Sequence, residues 1–388
     1  MGKSHLDNIA IVGSGLAGLT LAIRLAQKGI VSTIYEKENK DNLGGMGIQI
    51  TPNGSRILSK LGVEEPLREI SSKVESVTAL DGLTSKRLFS LDLNQFSKSD
   101  ELGYFTCHRG KLTRILCDRA MDLGVRFCFG KKITPQGFSP HGVDFRSDEG
   151  EEFHASLLIG ADGYGSQISQ ILNSVGEKHK PDFVALRGLV PTEKLRETKF
   201  ANGVNLYMYP AQHLVTYGID KGKVLNVVAI RPFDHVVDTE MDPETIKAGF
   251  RNFQFLESLL AHATEIRINL LYKGIVQPQW FAGKVCLCGD ALHPMPPFLA
   301  QGGNMAIEDG WVLASSLYNL NLTDALNLFK SKRQQRLERM VRYTNSQAWI
   351  NHLQGGLMYQ LRNTTMTLAD RTLPNLISSR YSWIYKGM

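Results

Sequence analysis

Apolar residues follow a strand-and-helix pattern in the first part of the chain. Residues 8–36 hold a short apolar run, a glycine cluster, a stretch with helical spacing and a second apolar run that ends at Glu36. This order predicts a strand, a tight turn, a helix and a second strand, which is the βαβ unit of a parallel sheet. Helical spacing returns at 109–123, and strand-like apolar runs return at 154–163 and 285–290.

A different pattern occupies the middle of the chain. Between about 183 and 231, short alternating runs (VALRGLV, GVNLYMYP, HLVTYGI, KVLNVVAI) are separated by turn signals such as Lys221-Gly222. A period of two predicts antiparallel strands with one buried face. We therefore expect three regions: a nucleotide-binding domain built from 1–72, 100–180 and 275–325, an inserted antiparallel substrate sheet built from 73–99 and 181–274, and a helical C-terminal region over 326–388.

Composition narrows the class of protein. The 388 residues are 43% hydrophobic and 21% charged with a net charge of +6, and no basic run is dense enough to predict nucleic-acid binding. Five cysteines are an odd number, scattered without metal-ligand spacing, which favours a reducing compartment; we expect Cys286 and Cys288 to be buried packing residues. Without a secretory signal or an apolar run of roughly 20 residues, the sequence predicts a cytoplasmic protein with no integral membrane segment and no metal.

The glycine cluster reads Gly13-x-Gly15-x-x-Gly18 and opens the first helix. Gly13 permits the tight turn, Gly15 lets the backbone approach a pyrophosphate, and Gly18 lets helix and strand pack closely. The helix N-terminus offers unpaired N–H groups to phosphates, and Glu36 can accept hydrogen bonds from a ribose diol. The predicted dinucleotide contacts here are Gly13, Gly15, Ala17, Gly18, Glu36 and Lys37.

A second motif, over residues 283–314, distinguishes a flavin from a nicotinamide cofactor. A strand ends in Gly289-Asp290, Pro296-Pro297 stiffen the following loop, and Gln301-Gly302-Gly303 lead into a helix. Asp290 can accept hydrogen bonds from a polyol chain, and the helix N-terminus near Gly303 would stabilise negative charge on a reduced flavin. The same stretch, taken alone, also fits an acid-capped helix after a strand.

This second motif resembles the group A flavoprotein monooxygenases, the aromatic hydroxylases typified by salicylate and hydroxybenzoate hydroxylases. In that family the GD stretch contacts the ribityl chain of FAD. The positions that match the family pattern are Gly289, Asp290, His293, Pro297, Gly302, Asn304 and Asp309.

Three more stretches carry the resemblance. IGADGYGS (159–166) is similar to the family's second fingerprint, with Asp162 and Gly163 near the pyrophosphate, although Ser169 stands where the family has an arginine. HRGKL (108–112) puts Arg109 where the family has a flavin-contacting arginine. GGMGIQITPNG (44–54), which holds Gly47 and Gln49, resembles the segment beside the flavin and the substrate. The expected FAD contacts from the resemblance are Gly47, Arg109, Asp162, Gly163, Asp290, Pro297, Gly302, Gly303 and Asn304.

The resemblance implies an α/β fold: a GR2-type, Rossmann-like FAD-binding domain with an inserted antiparallel sheet and a helical C-terminus. It also implies an enzyme in which NADH or NADPH reduces bound FAD and a flavin C4a-hydroperoxide transfers one oxygen atom of O₂ to a small phenolic, hydroxybenzoate-like ring. Its partner is then a small aromatic substrate, and it allows for a homodimer.

The stretch QHLVTYG (212–218) holds the candidate acid–base residues. On a strand, His213, Val215 and Tyr217 share one face, with the outer two about 13 Å apart. The stretch alone favours packing over catalysis. The pairing, however, resembles hydroxylases of the 3-hydroxybenzoate 6-hydroxylase and 6-hydroxynicotinate type. We therefore predict that His213 assists deprotonation of the phenol while Tyr217 and Gln301 orient it, and that Gln49, Tyr207, Val215 and Pro297 also line the substrate site.

Several alternatives stay open from the sequence. Within the same fold the substrate could be larger, such as a quinolone, a polyketide antibiotic like tetracycline, or an isoprenoid. A flavin-dependent reductase, a non-redox cyclase that retains FAD, and a non-catalytic flavin-bound module are other readings. Whether His213 or Tyr217 takes the phenolic proton is also open.

Overall fold

The computed structural model describes residues 8–97, 101–139, 141–173, 180–195, 203–234, 242–250, 253 and 256–387. The strands are β1 (Ile9–Val12), β2 (Ser32–Glu36), β3 (Gly47–Ile50), β4 (Ser72–Lys73), β5 (Ser76–Asp81), β6 (Arg87–Asp92), β7 (Phe105–His108), β8 (Arg126–Phe129), β9 (Ile133–Phe138), β10 (Val143–Ser147), β11 (Glu152–Ala155), β12 (Leu157–Gly160), β13 (Phe183–Pro191), β14 (Val204–Tyr209), β15 (Gln212–Ile219), β16 (Val224–Pro232), β17 (Glu265–Leu271), β18 (Phe281–Ala282) and β19 (Val285–Leu287). The helices are α1 (Leu16–Ala26), α2 (Pro52–Lys60), α3 (Glu64–Ile70), α4 (Arg109–Asp122), α5 (Gln167–Asn173), α6 (Pro243–Ala248), α7 (Leu256–Leu260), α8 (Gly302–Asn319), α9 (Leu322–Asn351), α10 (Leu357–Thr372) and α11 (Pro374–Lys386).

The nucleotide-binding half is built on a sheet in the order β18-β19-β12-β1-β2-β8. Its strands are parallel except for the β18–β19 pair. Strands β1 and β2 are buried along their whole length, as continuous apolar strands of a covered parallel sheet are. Helix α1 packs closely against α8. A Cβ at Gly310 of α8 would lie 2.6 Å from the Ala17 carbonyl oxygen of α1. The close approach of α1 and α8 brings the two glycine motifs together.

The second large sheet, called the substrate sheet below after its predicted role, has the order β17-β13-β16-β15-β14-β5-β6 and is antiparallel apart from the β14–β5 pair. In register, Val215 of β15 lies opposite Leu206 of β14 and Val228 of β16, so these three side chains share one face. Residues on the opposite face, including Tyr207 and Tyr209, pack in a separate core with Phe250 and other apolar side chains. The face that carries Leu206, Val215 and Val228 covers the candidate site.

Helices fill the C-terminal part. The 30-residue helix α9 packs beside α8, and α11 brings Tyr385 against Phe96 and Tyr104. No helix in the described ranges is long and apolar enough to cross a membrane. The mixed α/β architecture with its inserted sheet and helical end agrees with the predicted fold class.

Two details differ from or refine the sequence reading. The strand expected over 285–290 ends at Leu287, because Gly289 has a left-handed φ of 65° that turns the chain into a 3₁₀ turn at Gly289–Ala291. The expectation for Cys286 and Cys288 is confirmed, since both are fully buried and unpaired.

Candidate active site

The first glycine motif forms an open cradle at the end of β1. Gly13 has φ 104°, and a Cβ there would lie 2.4 Å from the Ala161 carbonyl oxygen. A Cβ at Gly18 would lie 2.1 Å from the Gly13 carbonyl oxygen, whereas one at Gly15 would meet no atom of the described residues within 4 Å. The two outer glycines therefore close the turn, and the middle one faces empty space at the N-terminus of α1. This arrangement fits a pyrophosphate.

Acidic side chains stand at two places around this cradle. Glu36 is buried at the end of β2, and its Oε2 accepts hydrogen bonds from the backbone N–H and hydroxyl of Ser14, each at 2.7 Å. Asp162 lies just beyond β12; burial raises its pKa, and its Oδ1 is buried without a partner among the described residues. Gly163 next to it borders open space, and Lys37 is exposed. The unpartnered carboxylate oxygen of Asp162 suits a hydroxyl group of a dinucleotide, and the open glycine cradle beside it suits the phosphates.

The second glycine motif borders a cavity. Asp290 in the 3₁₀ turn, Gly302 and Gly303 at the N-terminus of α8, and Pro297 all line it. Arg109, the first residue of α4, lines it as well, and its backbone N–H donates to the Met46 carbonyl at 2.8 Å. Several residues expected from the flavin resemblance thus line the same cavity.

Strand β3 is fastened from two directions. Asn304 of α8 accepts from the Thr51 N–H at 3.0 Å and donates to the Gln49 carbonyl at 3.2 Å. On the other side, the Gly47 N–H donates to Oδ1 of Asn226 at 2.8 Å, and a side chain at Gly47 would overlap that amide. Strand β3 therefore joins the nucleotide-binding half to the substrate sheet.

A buried ionic network supports the 3₁₀ turn of the second motif. Asp309 accepts from the Gly289 N–H at 3.2 Å, contacts His293, and pairs with Nε of Arg333 at 2.7 Å. Burial alone would raise the pKa of Asp309, but His293 and Arg333 bring it below its usual value. Arg333 also pairs with Glu308, which in turn binds Arg336 at 2.7 Å. The sequence analysis missed Arg333, because its exposed-looking setting KSKRQQR gives no sign of full burial.

The cavity has a volume of about 550 Å³ and lies between the second motif, β3, the substrate sheet and the C-terminal helices. Much of its wall is apolar, with contributions from Val77, Leu91, Val204, Leu206, Val228 and Phe298. Its charged lining among the described residues is three arginines (Arg109, Arg187 and Arg380) and the acid Asp290. Val215 and Gln49, two of the predicted substrate contacts, line it too.

His213 lines the cavity from β15 and is only 1% exposed. Its Nδ1 lies 3.1 Å from Nε2 of His352, the residue that follows α9. Burial lowers the pKa of His213 well below its usual value, and His352 and Arg362 add to the effect. His213 is therefore a neutral imidazole near pH 7.

Tyr217 lines the cavity two residues beyond Val215 and is 3% exposed. Burial raises the pKa of its phenol, and Arg187 counteracts the rise only in part. The side chains of Gln49 and Asn226 lie beside its hydroxyl. Tyr217 is therefore protonated near pH 7 and can donate a hydrogen bond.

Arg187 is a cavity residue that the sequence analysis did not select. It lies on β13 directly opposite Val228 of β16, and Val228 lies opposite Val215 of β15. The three side chains therefore share one face of the sheet. Its Nε is buried without a hydrogen-bond partner among the described residues. Burial lowers its pKa, Tyr217 opposes that change, and Arg109 adds to it. The signal in the sequence was an arginine inside the apolar strand FVALRGLVP.

Two predicted substrate contacts face elsewhere. Tyr207 does not line the cavity: its strand neighbours Leu206 and Met208 do, and the alternation of the strand turns Tyr207 into the opposite core. Gln301 is 1% exposed, and its amide donates to Thr51 Oγ1 at 3.1 Å and accepts from Asn53 at 3.3 Å. Gln301 directly precedes Gly302 in the chain. Its amide, however, is bound by Asn53 of α2 and by Thr51, the residue before α2, so its side chain does not turn to the cavity. The structure therefore corrects the substrate contacts expected for Tyr207 and Gln301.

Comparison with known proteins agrees with this geometry. The chain is 29% identical to a 3-amino-4-hydroxybenzoate 2-monooxygenase of Streptomyces platensis (98% of this chain, 97% of the relative). It is also 29% identical to 3-hydroxybenzoate 6-hydroxylase 1 of Aquipseudomonas alcaligenes (93% of each). The fold resembles the crystal structure of Klebsiella pneumoniae HpxO complexed with FAD and uric acid, with a TM-score of 0.82, 19% identity and 98% of each chain covered. The profile of the FAD binding domain family matches residues 7–344. The chain therefore belongs to the FAD binding domain family and is an FAD-dependent monooxygenase.

Proposed function

We propose that this enzyme hydroxylates a small phenolic aromatic acid, a hydroxybenzoate-like compound, with NADH or NADPH and O₂ as cosubstrates. The observation that carries the proposal is Arg187, whose Nε has no hydrogen-bond partner among the described residues and which lines the same cavity as His213 and Tyr217. A carboxylate is the planar anion that a guanidinium binds best. The names of the two relatives, a 3-hydroxybenzoate 6-hydroxylase and a 3-amino-4-hydroxybenzoate 2-monooxygenase, support the same substrate class.

The residues that would hold FAD form two groups. The first glycine motif with Ala17, Glu36 and Asp162–Gly163 suits the adenine-dinucleotide part, and the second motif with Arg109 and Gly47 suits the flavin part. When bound, FAD supplies the redox chemistry, taking electrons from NADH or NADPH and activating O₂. Helix α8 begins at the cavity with Gly302 and Gly303, and its N-terminal N–H groups favour negative charge there.

His213 is the group that takes the phenolic proton in this proposal. A phenolate ring is richer in electrons than the phenol, so it reacts faster with an electrophilic oxygen donor. The phenol O–H bond breaks, its electron pair stays on oxygen, and an N–H bond forms at Nε2 of His213. The buried imidazolium and the phenolate stabilise each other as an ion pair in this apolar setting.

Tyr217 has the complementary role. Its raised pKa keeps the phenol protonated, so it donates a hydrogen bond instead of accepting a proton. Arg187 lies close enough to Tyr217 for each to change the pKa of the other. We infer that these two residues bind the acid group of the substrate, while Val215 and Pro297 contact the ring. Gln301 has no place in this proposal, because its amide is engaged by Thr51 and Asn53.

A substrate panel tests the proposal. Purified holoenzyme is mixed with NADH or NADPH and with hydroxybenzoate isomers, their amides, and the same phenols without a carboxyl group. We expect the acids to stimulate NAD(P)H oxidation with matching O₂ uptake and a product heavier by one oxygen atom. Neutral phenols should require concentrations roughly tenfold to a hundredfold higher, the cost of losing one charged hydrogen-bonded contact.

Two outcomes would count against the proposal. Oxidation of NAD(P)H without oxygen in the organic product would favour the reductase, and preference for neutral polycyclic or isoprenoid compounds would favour the larger-substrate alternative. The cytoplasmic location and the homodimer expected from the sequence stay predictions.

A further inference from the structure

His352 lies outside every motif of the sequence, yet it contacts the candidate base. It follows the last turn of α9, and its Nδ1 lies 2.7 Å from the carbonyl oxygen of Ala348. Its other ring nitrogen, Nε2, lies 3.1 Å from Nδ1 of His213 on β15. A continuous line of hydrogen bonds thus runs from a backbone carbonyl of α9 to the substrate sheet.

The chemistry of these atoms determines where the protons are. A carbonyl oxygen only accepts hydrogen bonds, so Nδ1 of His352 carries a hydrogen. A neutral imidazole carries one hydrogen, which leaves Nε2 of His352 as an acceptor. His213 must then donate through its Nδ1–H, and its own Nε2 retains a lone pair. The backbone carbonyl of Ala348 therefore favours the Nδ1–H tautomer of His213, which lies on the substrate sheet.

Without a bound phenol, the surroundings keep both rings neutral and in place. Phe183 stacks on His352 with centroids 4.6 Å apart, and Phe298 packs edge-on against His352 at 5.4 Å and His213 at 5.6 Å. Burial lowers the pKa of His352 to about 4. The charged group that acts on both rings is Arg362, which further disfavours a second proton. Its guanidinium donates to the Ile350 carbonyl at 3.1 Å, at the end of α9.

We propose that His352 is a positioning residue that holds His213 in the Nδ1–H tautomer and so leaves Nε2 free to take the phenolic proton. This inference rests on the proposed function, in which His213 is the base. No proton passes to His352: the phenol gives its proton to Nε2 of His213, and the same nitrogen returns it to the product.

Two substitutions of His352 separate positioning from other roles. In His352→Gln, the amide oxygen can occupy the place of Nε2 and accept from His213, but it cannot act as a base at neutral pH. In His352→Ala, the Nδ1–H of His213 loses its acceptor, and the ring is free to adopt the other tautomer. His213→Ala is the reference, and bound FAD and the midpoint of thermal unfolding are measured for each variant.

Ionisation of the bound phenol is followed by its ultraviolet absorbance across pH, alongside kcat and KM of hydroxylation. We expect His352→Ala to lower kcat roughly tenfold to a hundredfold, with little change in KM, and to raise the apparent pKa of the bound phenol. His352→Gln should stay within about threefold of the original enzyme. Equal impairment of the two variants, or no change in His352→Ala while His213→Ala is inactive, would overturn this inference alone. Normal hydroxylation by His213→Ala would instead overturn the role of His213 in the proposed function.

Discussion

Nε of Arg333 lies 2.7 Å from Oδ1 of Asp309, and neither side chain is exposed to solvent. Asp309 also accepts from the backbone of Gly289, next to the turn residue Asp290. A side chain of α9 thus supports the turn predicted to contact the ribityl chain. Removing Arg333 would leave Asp309 with His293 and Glu308 with Arg336, but it would take away the cation that the two buried carboxylates share. Breaking such a buried pair is strongly destabilising.

Arg333→Met should therefore destabilise the protein strongly. We expect a loss of about 3–5 kcal/mol in the free energy of unfolding, together with weaker FAD binding. Urea unfolding and flavin fluorescence measure the two effects. The matched control is Arg342→Met on the same helix, whose exposed pair with Glu338 should change stability by less than about 1 kcal/mol. Similar stabilities for the two variants would contradict the support assigned to Arg333.

Two alanine substitutions in the first glycine motif should have different effects. Gly13→Ala would place Cβ 2.4 Å from the Ala161 carbonyl oxygen at a φ of 104°, so we expect poor folding. The added methyl group of Gly15→Ala meets no atom in the part of the chain that the structure describes, and φ is an ordinary −74°, so the apoprotein should fold normally. It should nevertheless bind FAD more weakly, because its methyl group enters the space assigned to the pyrophosphate. Circular dichroism and FAD titration distinguish these outcomes, and unchanged FAD affinity in Gly15→Ala would place the pyrophosphate elsewhere.

Arg187→Met tests the acid-binding role. We expect KM for a hydroxybenzoate to rise roughly tenfold to a hundredfold, while a matching phenol without the carboxyl group is little affected. Arg267→Met is the control, because Arg267 lies opposite Arg187 on β17 but is exposed and paired with Glu265 at 2.5 Å. Steady-state kinetics with the acid and the neutral phenol give the answer. An equal rise in KM for both compounds would mean that Arg187 does not bind the carboxylate.

Tyr217→Phe removes a hydroxyl from the cavity without changing the ring. We expect about tenfold slower hydroxylation or weaker substrate binding, since one hydrogen bond to an ionised group is lost. Tyr207→Phe is the matched control on the neighbouring strand, where the ring faces the opposite core. Its kcat and KM should remain unchanged. A larger kinetic effect in Tyr207→Phe than in Tyr217→Phe would restore the original expectation for Tyr207.

Acid should destabilise the protein partly through His352. Its pKa falls from 6.5 to about 4 on folding, so the unfolded chain binds more protons between these values. Stability therefore decreases as pH falls from about 6.5 towards 4, by up to about 3 kcal/mol for this group, and levels off below its folded pKa. His352→Gln lacks this contribution, so its stability relative to the original protein should improve on acidification. Urea unfolding at pH 7 and pH 4.5 measures the difference, and parallel pH profiles would argue against it.

Local sequence was sufficient for the nucleotide cradle. Gly13, Gly15 and Gly18 act within a few residues of one another, and their roles follow from φ angles and close contacts that any such turn requires. The inserted sheet was also predictable, because alternation along β14, β15 and β16 records which face is buried. Which face turns to the cavity was predicted for Val215 of β15, but on β14 the cavity is lined by Leu206, where the sequence analysis expected Tyr207.

The remaining site residues depend on contacts between distant parts of the chain. Tyr207 and Leu206 are adjacent in sequence but face opposite sides, so an error of one residue in phase moves a side chain from the cavity to the core. The orientation of Gln301 depends on Thr51 and Asn53, which lie far away in sequence. The contact between His352 and His213 forms only because the end of α9 packs beside β15 in the folded chain.

Strand β3 connects the cofactor end of the cavity to the substrate sheet. Gly47 is tied to Asn226, and Asn226 lies opposite Tyr217 in register. We therefore expect a ligand that shifts Tyr217 to shift β3 as well, the segment that lines the cavity beside the second glycine motif. Because such coupling is reciprocal, whatever factor the substrate adds to cofactor affinity, the cofactor adds to substrate affinity. We therefore expect the hydrogen bond from the Gly47 N–H to the Asn226 side chain to make the flavin environment differ between the empty and the substrate-filled cavity.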